Sequence, residues 1–143
     1  MRQNRSVPDA TVIPVLVYPD VRAAVEWLVA AFGFAERLFI GPNHRAQLSC
    51  GDGALIVADV RGERRAPEPG HLSGSVLVRV EDARGHCERA RAHGARILQE
   101  PTDHPFGERQ YDAADFAGHR WTFSETLADV DPREWGGEPA APR

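Results

Sequence analysis

The feature that most constrains the fold of this chain is an order of one strand, one helix and three strands that occurs twice. In the first half, Thr11–Tyr18 is rich in β-branched residues and predicts a strand. Asp20 then predicts a helix N-cap, the apolar stripe of Val21–Phe32 predicts an amphipathic helix, and Gly33 predicts its end. Three short strands are predicted next: Ala35–Ile40, Arg45–Cys50 and Ala54–Asp59.

The same order starts again after a segment that is rich in Arg, Pro and Gly. Ser75–Val80 predicts a strand, and Asp82 predicts the N-cap of a helix over Ala83–His93. An offset of 62 residues places Asp82 on Asp20 and aligns the second strand–helix pair with the first. The strands predicted to complete this half are Arg96–Gln99, Gln110–Ala114 and Arg120–Glu125. We infer that the chain contains an internal duplication.

Two such modules define a fold class. Short turns between consecutive strands force antiparallel neighbours, so the sequence predicts an α+β fold built from two βαβββ modules. With 143 residues, the chain has the length of one globular domain. The predicted divisions are an N-terminal tail (1–10), a first module (11–60), a linker (61–74), a second module (75–126) and a C-terminal tail (127–143).

Charge and composition exclude several classes of function. The net charge is −4, so the chain has no basic field to hold a nucleic-acid backbone. All 17 basic residues are arginine, which excludes a lysine Schiff base and a Walker-type phosphate loop. The apolar run Val12–Tyr18 is too short to span a membrane. Cys50 and Cys87 do not form a disulfide framework and favour a reducing compartment, so we expect the protein in the cytoplasm.

Two stretches carry a resemblance to a known family. VYPDVRAAVEWLVAAFGF (residues 17–34) is similar to the first strand and helix of the vicinal oxygen chelate superfamily, and GERQYDAADFAGHRWTFSET (107–126) is similar to its last hairpin. This superfamily contains glyoxalases, extradiol dioxygenases and bleomycin-resistance proteins. The resemblance extends over about residues 10 to 137, including the ending ADVDPREWGG. The turn at 115–118 keeps the family's glycine but lacks its proline.

The resemblance implies a fold and a place for chemistry. Each βαβββ module is expected to form half of a curved mixed sheet, so that the two halves make a cup with the helices on its outer face. Ligands are expected in the concave face. Where members of the family catalyse a reaction, His, Glu or Gln side chains of the first and last strands hold a divalent metal that polarises substrate oxygens.

The residues at those positions do not match a metal site. Strand alternation and the 62-residue repeat place Ile13, Ser75 and Thr122 there, with Val57 or Ala58 as the fourth. None is a His, Glu or Gln, so we predict no metal and no cofactor at the family position. A relocated site stays open. Of the six histidines, His86 and His93 are expected on a solvated helix face, His71 and His104 in surface loops, and His44 and His119 at strand starts near the cup mouth.

The remaining candidates are polar and aromatic residues that we expect in or beside the cup. Arg45 and Gln47 alternate with apolar residues, while Ser75 and Thr122 face inward by the same argument. Arg79 and Arg120 are mid-strand guanidinium groups, which can hold a carboxylate or stack on an aromatic ring. Tyr111 and Phe106 lie where an aromatic wall could border the cup. The predicted ligand-binding residues are therefore Arg45, Gln47, Ser75, Arg79, Phe106, Tyr111, Arg120 and Thr122.

Three functions are compatible with these residues. The first is a metal-free binding protein for a small organic molecule, aromatic or acidic, resembling the drug-binding members of the family. The second is a glyoxalase-like lyase or isomerase, or a dioxygenase, with a relocated metal. The third is a non-catalytic dimeric scaffold. Whether the chain is an enzyme stays open, and a homodimer is expected because edge strands of each half-cup need a cover.

Overall fold

The computed structural model describes residues 2–140 and contains both modules. Met1 and residues 141–143, the ends of the two predicted tails, lie outside the described residues. The helices are α1 Val21–Phe32 and α2 Ala83–Ala92, followed near the C-terminal end by a short 3-10 helix at Pro132–Trp135. The strands are β1 Val15–Val17, β2 Ala35–Ile40, β3 Arg45–Cys50, β4 Gly53–Ala58, β5 Val76–Arg79, β6 Arg96–Asp103, β7 Glu108–Ala114 and β8 Arg120–Thr126.

Each module forms its own four-stranded mixed sheet. The strand orders are β1-β4-β3-β2 and β5-β8-β7-β6, so the two halves have the same topology. In each half the first strand runs parallel to the last, and the other pairs are antiparallel. The predicted α+β fold of two βαβββ modules is confirmed. Within residues 2–140, β1 and β5 are both edge strands of their sheets.

Both helices begin where the sequence places a capping aspartate. The Asp20 carboxylate accepts a hydrogen bond from the backbone N–H of Ala23 at 3.1 Å, and Asp82 accepts one from Gly85 at the same distance. Gly33 ends α1 with a φ of 79°, a left-handed conformation that glycine adopts without a steric penalty. The two helices therefore start at equivalent points of the repeat.

The helices pack against each other and against one face of the sheets, where they form a shared core. Phe32, the last residue of α1, reaches across to the second module, with its ring centroid 5.3 Å from that of Trp121 and 4.7 Å from that of Phe123. Ala83, Cys87 and Ala90 are fully buried on α2, and these small side chains permit a close approach of the helix. The core thus holds the two modules together by burying apolar surface of both.

His86 departs from the expectation of a solvated helix face. It is half-buried on α2, where its Nε2 lies 2.9 Å from the carbonyl oxygen of Phe32 and its Nδ1 lies 2.5 Å from the hydroxyl of Tyr111. A carbonyl only accepts, so Nε2 carries the proton and Nδ1 accepts from Tyr111. Burial lowers the pKa of His86. The seven-residue spacing of His86 and His93 predicted an exposed face, but it contains no information about the contact with α1 that covers His86.

Strand ends differ from the sequence prediction at a few points. β1 is limited to three residues, because Pro14 has no N–H to donate to the sheet. β6 continues to Asp103 through two irregularities of register, and β7 begins at Glu108. Over residues 2–140, no helix is long and apolar enough to cross a membrane.

Candidate functional site

Alternation along the strands gives each sheet a helix-covered face and an open face. In β3, Ala46 and Leu48 are buried in the core, so Arg45, Gln47 and Ser49 point to the open face. In β8, Trp121 and Phe123 occupy the core, so the even-numbered residues point to the open face. The predicted orientation of these strands is therefore correct, and the open faces are where ligands are expected.

The N-terminal segment covers the part of the open face of the first sheet around Gln47. The side-chain amide of Gln47 donates to the carbonyl oxygen of Ser6 at 2.9 Å, and its oxygen accepts from Arg37. Arg37 also donates to the carbonyl oxygen of Arg5 at 2.5 Å. These contacts leave Gln47 only 6% exposed. Gln47 therefore already has protein partners on both ends of its amide.

The open face of the second sheet carries polar side chains that pair with each other across strands. The Thr122 hydroxyl donates to Asp112 at 2.6 Å, and the Ser124 hydroxyl donates to Glu108 at 2.7 Å. Arg79 donates to the Thr126 hydroxyl at 3.1 Å. Such cross-strand pairs satisfy the groups on the sheet itself.

A cavity of about 690 Å³ lies beside the edge strands of the two modules. Its walls are the chain around β1, the start of β5, the start of β8 and the second half of the linker. Drug-sized ligands occupy cavities of roughly 300–1,000 Å³, so the space suffices for one. The lining residues are Pro14, Val15, Leu16, Val17, Arg65, Ala66, Pro67, Glu68, His71, Leu72, Ser73, Gly74, Ser75, Val76, Leu77, His119 and Arg120.

The cavity wall combines apolar and polar groups. Val15, Leu72 and Leu77 are 43%, 46% and 57% exposed, so they present apolar surface to whatever enters. His119 is fixed in the wall, because its Nε2 donates to the carbonyl oxygen of Val17 at 2.7 Å. Arg120 enters the same wall from the first position of β8. The arrangement suits a ligand with an apolar body and a polar end.

A buried aspartate, Asp115, connects the first module to the turn that precedes His119 and Arg120. The carboxylate of Asp115 accepts hydrogen bonds from the hydroxyl of Tyr18 at 2.5 Å and from the indole N–H of Trp121 at 3.1 Å. Its other oxygen accepts from the backbone N–H groups of Ala117 and His119 at 3.1 and 3.0 Å. Tyr18 follows β1 and Asp115 follows β7, so this cluster fixes the first module against the turn that leads to Arg120.

Neither Cys50 nor Asp59, two titratable groups at the first sheet, is activated as a nucleophile. Burial raises the pKa of the Cys50 thiol to about 12, which keeps it protonated at neutral pH. Asp59 is engaged by His44 at 3.0 Å and by Arg61 and Arg64 at 3.3 and 3.5 Å. The hydrogen bond from His44 and the two guanidinium groups hold the pKa of Asp59 below its usual range.

The structure separates the eight predicted ligand-binding residues into three groups. Ser75 and Arg120 line the cavity. The residues on an open face but outside the cavity are Arg45, Gln47, Arg79 and Thr122. Tyr111 and Phe106 are placed elsewhere.

Tyr111 and Phe106 do not border the cup as predicted. In β7, Tyr111 lies opposite the core residue Phe123, so it is on the helix-covered face, where it is fully buried. Phe106 lies in the β6–β7 turn, stacks on His104 at 5.0 Å and contacts Trp135 at 5.3 Å between ring centroids. Both rings therefore serve packing.

Sequence reasoning missed the contribution of the linker. Arg65, Pro67, His71 and Leu72 lie in a segment without apolar periodicity that is predicted as a linker, with His71 in a surface loop, yet they form one wall of the cavity. Residues 61–74 must join β4 to β5, and β4 lies beside the edge strand β1. The repeat of the strand order could have indicated this position. The linker starts from β4, next to the edge strand β1, and ends at β5, the edge strand of the second sheet.

Comparisons with known proteins agree with this architecture. The family model of the Glyoxalase/Bleomycin resistance protein/Dioxygenase superfamily matches residues 10–123. The chain belongs to this superfamily. The crystal structure of TioX from Micromonospora sp. ML1 is similar at 37% identity and a TM-score of 0.69, covering 81% of this chain and 98% of that one. The search of curated proteins returned no match.

Two further structures share the fold. A glyoxalase/bleomycin resistance protein/dioxygenase from Nocardioides is 23% identical with a TM-score of 0.62, covering 92% of this chain and 88% of that one. A glyoxalase-related enzyme from Fulvimarina pelagi is 20% identical with a TM-score of 0.66, covering 82% of this chain and 88% of that one.

The superfamily's metal can be tested against the residues present. Strand pairing places Leu77 opposite Thr122 and, at the equivalent point of the first module, Val15 opposite Ile56. The fourth position is therefore Ile56, not Val57 or Ala58 as predicted, and Val57 is fully buried in the core. The four positions hold Ile13, Ile56, Ser75 and Thr122. Two hydrocarbon side chains and two hydroxyls do not fit a divalent metal.

No alternative cluster of donors replaces them in the described part of the chain. Within residues 2–140, His, Cys, Asp and Glu side chains form no group of three or more that could hold a metal ion.

Proposed function

We propose that this protein binds a small organic molecule in the cavity between β1, β5 and the linker, without a metal, as the drug-binding members of its superfamily are expected to do. The observation that carries the proposal is the cavity itself, about 690 Å³ in volume and lined by both modules. A binding protein needs only shape, apolar surface and a few polar anchors, and it needs no groups that stabilise a transition state.

The donor chemistry at the family's metal positions supports binding over catalysis. The side chains of Ile13 and Ile56 have no atom that can ligate a cation, and the Thr122 hydroxyl already donates a hydrogen bond to Asp112. Family enzymes use their metal to polarise substrate oxygens, so a chain that lacks the ligands lacks the means for that step. The enzyme hypothesis would therefore need other residues for its chemistry.

The scaffold hypothesis is less favoured, because a protein that serves only as a scaffold does not need a cavity of this volume. A scaffold would gain stability by filling this space with its own side chains. Instead, Val15, Leu72 and Leu77 present apolar surface beside an open cavity. Exposed apolar groups around a concave space favour a ligand.

A thermal-shift screen of aromatic natural products tests the proposal. The protein is first treated with EDTA, and each compound is then added with and without Zn²⁺, Ni²⁺, Mn²⁺ or Fe²⁺. We expect at least one compound to raise Tm in the absence of metal, since a ligand at 100 times its Kd stabilises by about 2.7 kcal/mol. Stabilisation or turnover that appears only after a metal is restored would refute metal-free binding.

We also propose that the protein is a cytoplasmic homodimer. The edge strands β2 and β6 and the exposed Phe39 and Ile40 of β2 leave hydrogen-bonding and apolar surface, away from the cavity, that a second copy could cover. Cys50 and Cys87 are both free thiols, which suits a reducing compartment. Light scattering on the purified protein should give twice the chain mass, and a monomer at micromolar concentration would contradict the dimer.

A further inference from the structure

We propose that the cavity takes a ligand with an acidic group and that Arg120 is the residue that holds this group. The inference rests on the proposed function, because it names the chemical class of ligand for the same cavity.

The Arg120 guanidinium is unpaired. It makes no hydrogen bond and no ion pair with any residue in 2–140, although the residue is only partly exposed. It lines the large cavity and also a smaller one of about 240 Å³ on the other side of the linker. A guanidinium carries five N–H donors, and the residues in 2–140 use none of those of Arg120. These donors are therefore available to an acceptor on a ligand.

Neighbouring polar groups on the same sheet are already satisfied. Thr122 donates to Asp112, and Arg79 donates to the Thr126 hydroxyl. Arg45, on the other sheet, has a buried Nε without a partner in the described residues, but it does not line the cavity. Arg120 is therefore the cavity-lining guanidinium on these sheets with unused donors.

The charges of the cavity wall favour an anion. Arg65 and Arg120 are permanent cations, and Glu68 is the single carboxylate among the lining residues. Arg65 donates to the carbonyl oxygens of Gly62 and Arg64 at 2.5 and 3.0 Å, so some of its N–H donors are already used. Its positive charge still adds to the electrostatic potential of the cavity wall. Glu68 forms no ion pair with Arg120 within 4.0 Å. The wall therefore keeps an excess of positive charge, and Arg120 is the cation in it whose donors are all unused within residues 2–140.

The rest of the cavity defines the other half of the ligand. Val15, Leu72 and Leu77 provide an apolar wall, and the Ser75 hydroxyl is an additional polar contact. A planar guanidinium binds a carboxylate or sulfonate through two parallel hydrogen bonds. The ligand class is thus a molecule with an apolar body that carries one carboxylate or sulfonate group.

A pair of fluorescent probes separates the anion from the apolar body. 1-Anilinonaphthalene-8-sulfonate carries a sulfonate, and N-phenyl-1-naphthylamine has nearly the same rings without a charge. Each is titrated into the full-length protein and into Arg120→Gln, Arg120→Lys and Arg96→Gln. Arg96 is the matched control, because it pairs with Ala114 as Arg120 does but lies outside the large cavity. Circular dichroism and Tm of each variant verify that it is folded.

We expect Arg120→Gln to weaken binding of the sulfonate probe at least tenfold and to leave the neutral probe within about twofold, as expected when one charge-assisted pair is lost. Arg120→Lys should recover part of the loss, and Arg96→Gln should change neither probe. Equal sulfonate binding by wild type and Arg120→Gln, with the neutral probe still bound, would overturn the role of Arg120 but not the cavity. Failure of both probes to bind would overturn the inference and count against the proposed function itself.

Discussion

Replacing Tyr18 by Phe is the sharpest test of how the two modules are held together. The substitution removes one oxygen from a fully buried ring and leaves the aromatic contact with His119, at 4.6 Å between ring centroids, in place. What is lost is the 2.5 Å hydrogen bond to the carboxylate of Asp115, itself 5% exposed. A separation this short is typical of a hydroxyl that donates to a charged oxygen.

The expected cost follows from what Asp115 retains. Hydrogen bonds to charged groups contribute about 1.5–3 kcal/mol, and in the variant the carboxylate still accepts from Trp121 and from two backbone N–H groups. We therefore expect the lower end, about 1.5–2 kcal/mol, and a Tm lower by roughly 3–8 °C for a chain of this size. Burial and the neighbouring Asp115 raise the pKa of Tyr18, so the phenol stays protonated and the cost should not change between pH 6 and 9.

Urea unfolding of Tyr18→Phe and Tyr111→Phe measures this directly. Both tyrosines are fully buried, but Tyr111 donates to the neutral His86 and not to a charge. Its loss should cost less, about 0.5–1.5 kcal/mol. A loss below about 0.5 kcal/mol for Tyr18→Phe, or a larger loss for Tyr111→Phe, would refute the argument that the charged acceptor dominates.

Three other predictions follow from particular contacts. Gly107→Ala should cost more than Gly51→Ala in urea unfolding; both glycines have positive φ, but a Cβ at 107 would strike the Ala128 carbonyl and the Val130 side chain. If the two variants are equally stable, the tail does not pack on this turn. Because the pKa of His86 is lowered in the folded protein, the unfolded chain binds more protons below pH 6.5. Wild-type stability should therefore fall faster than that of His86→Gln as pH drops from 7.5 to 5.5, and parallel curves would contradict this. Zn²⁺, Ni²⁺, Mn²⁺ or Fe²⁺ added to the EDTA-treated protein without ligand should leave Tm unchanged, and a rise of several degrees with one cation would reveal a metal site.

The fold was predictable because local and global signals agree along the chain. The aspartate caps, the apolar stripe of α1 and the alternation in β3 each predict the element that forms, and the repeat predicts that the second half copies the first. Face assignment followed from alternation alone, which correctly placed Arg45, Thr122 and Arg120 on open faces.

The candidate site was less predictable, since it depends on contacts between distant segments. Whether Gln47 is accessible depends on the N-terminal segment that covers it, and local patterning gives no information about that contact. Alternation places Tyr111 and Ala113 on the same face of β7, but the pairing with β8, which sets Tyr111 opposite the core residue Phe123, decides that this face is the helix-covered one. The linker wall has no periodicity and becomes visible only once the sheets are assembled.

The most direct test of metal-free binding is calorimetric titration of the tightest compound from the screen into EDTA-treated wild type and Leu77→Trp. Leu77 is exposed beside the cavity, so the larger ring should fill the space without disturbing the core. We expect one molecule bound per cavity in wild type, with affinity reduced at least tenfold in Leu77→Trp. Equal affinity in the two proteins, or binding that requires an added metal, would contradict the account.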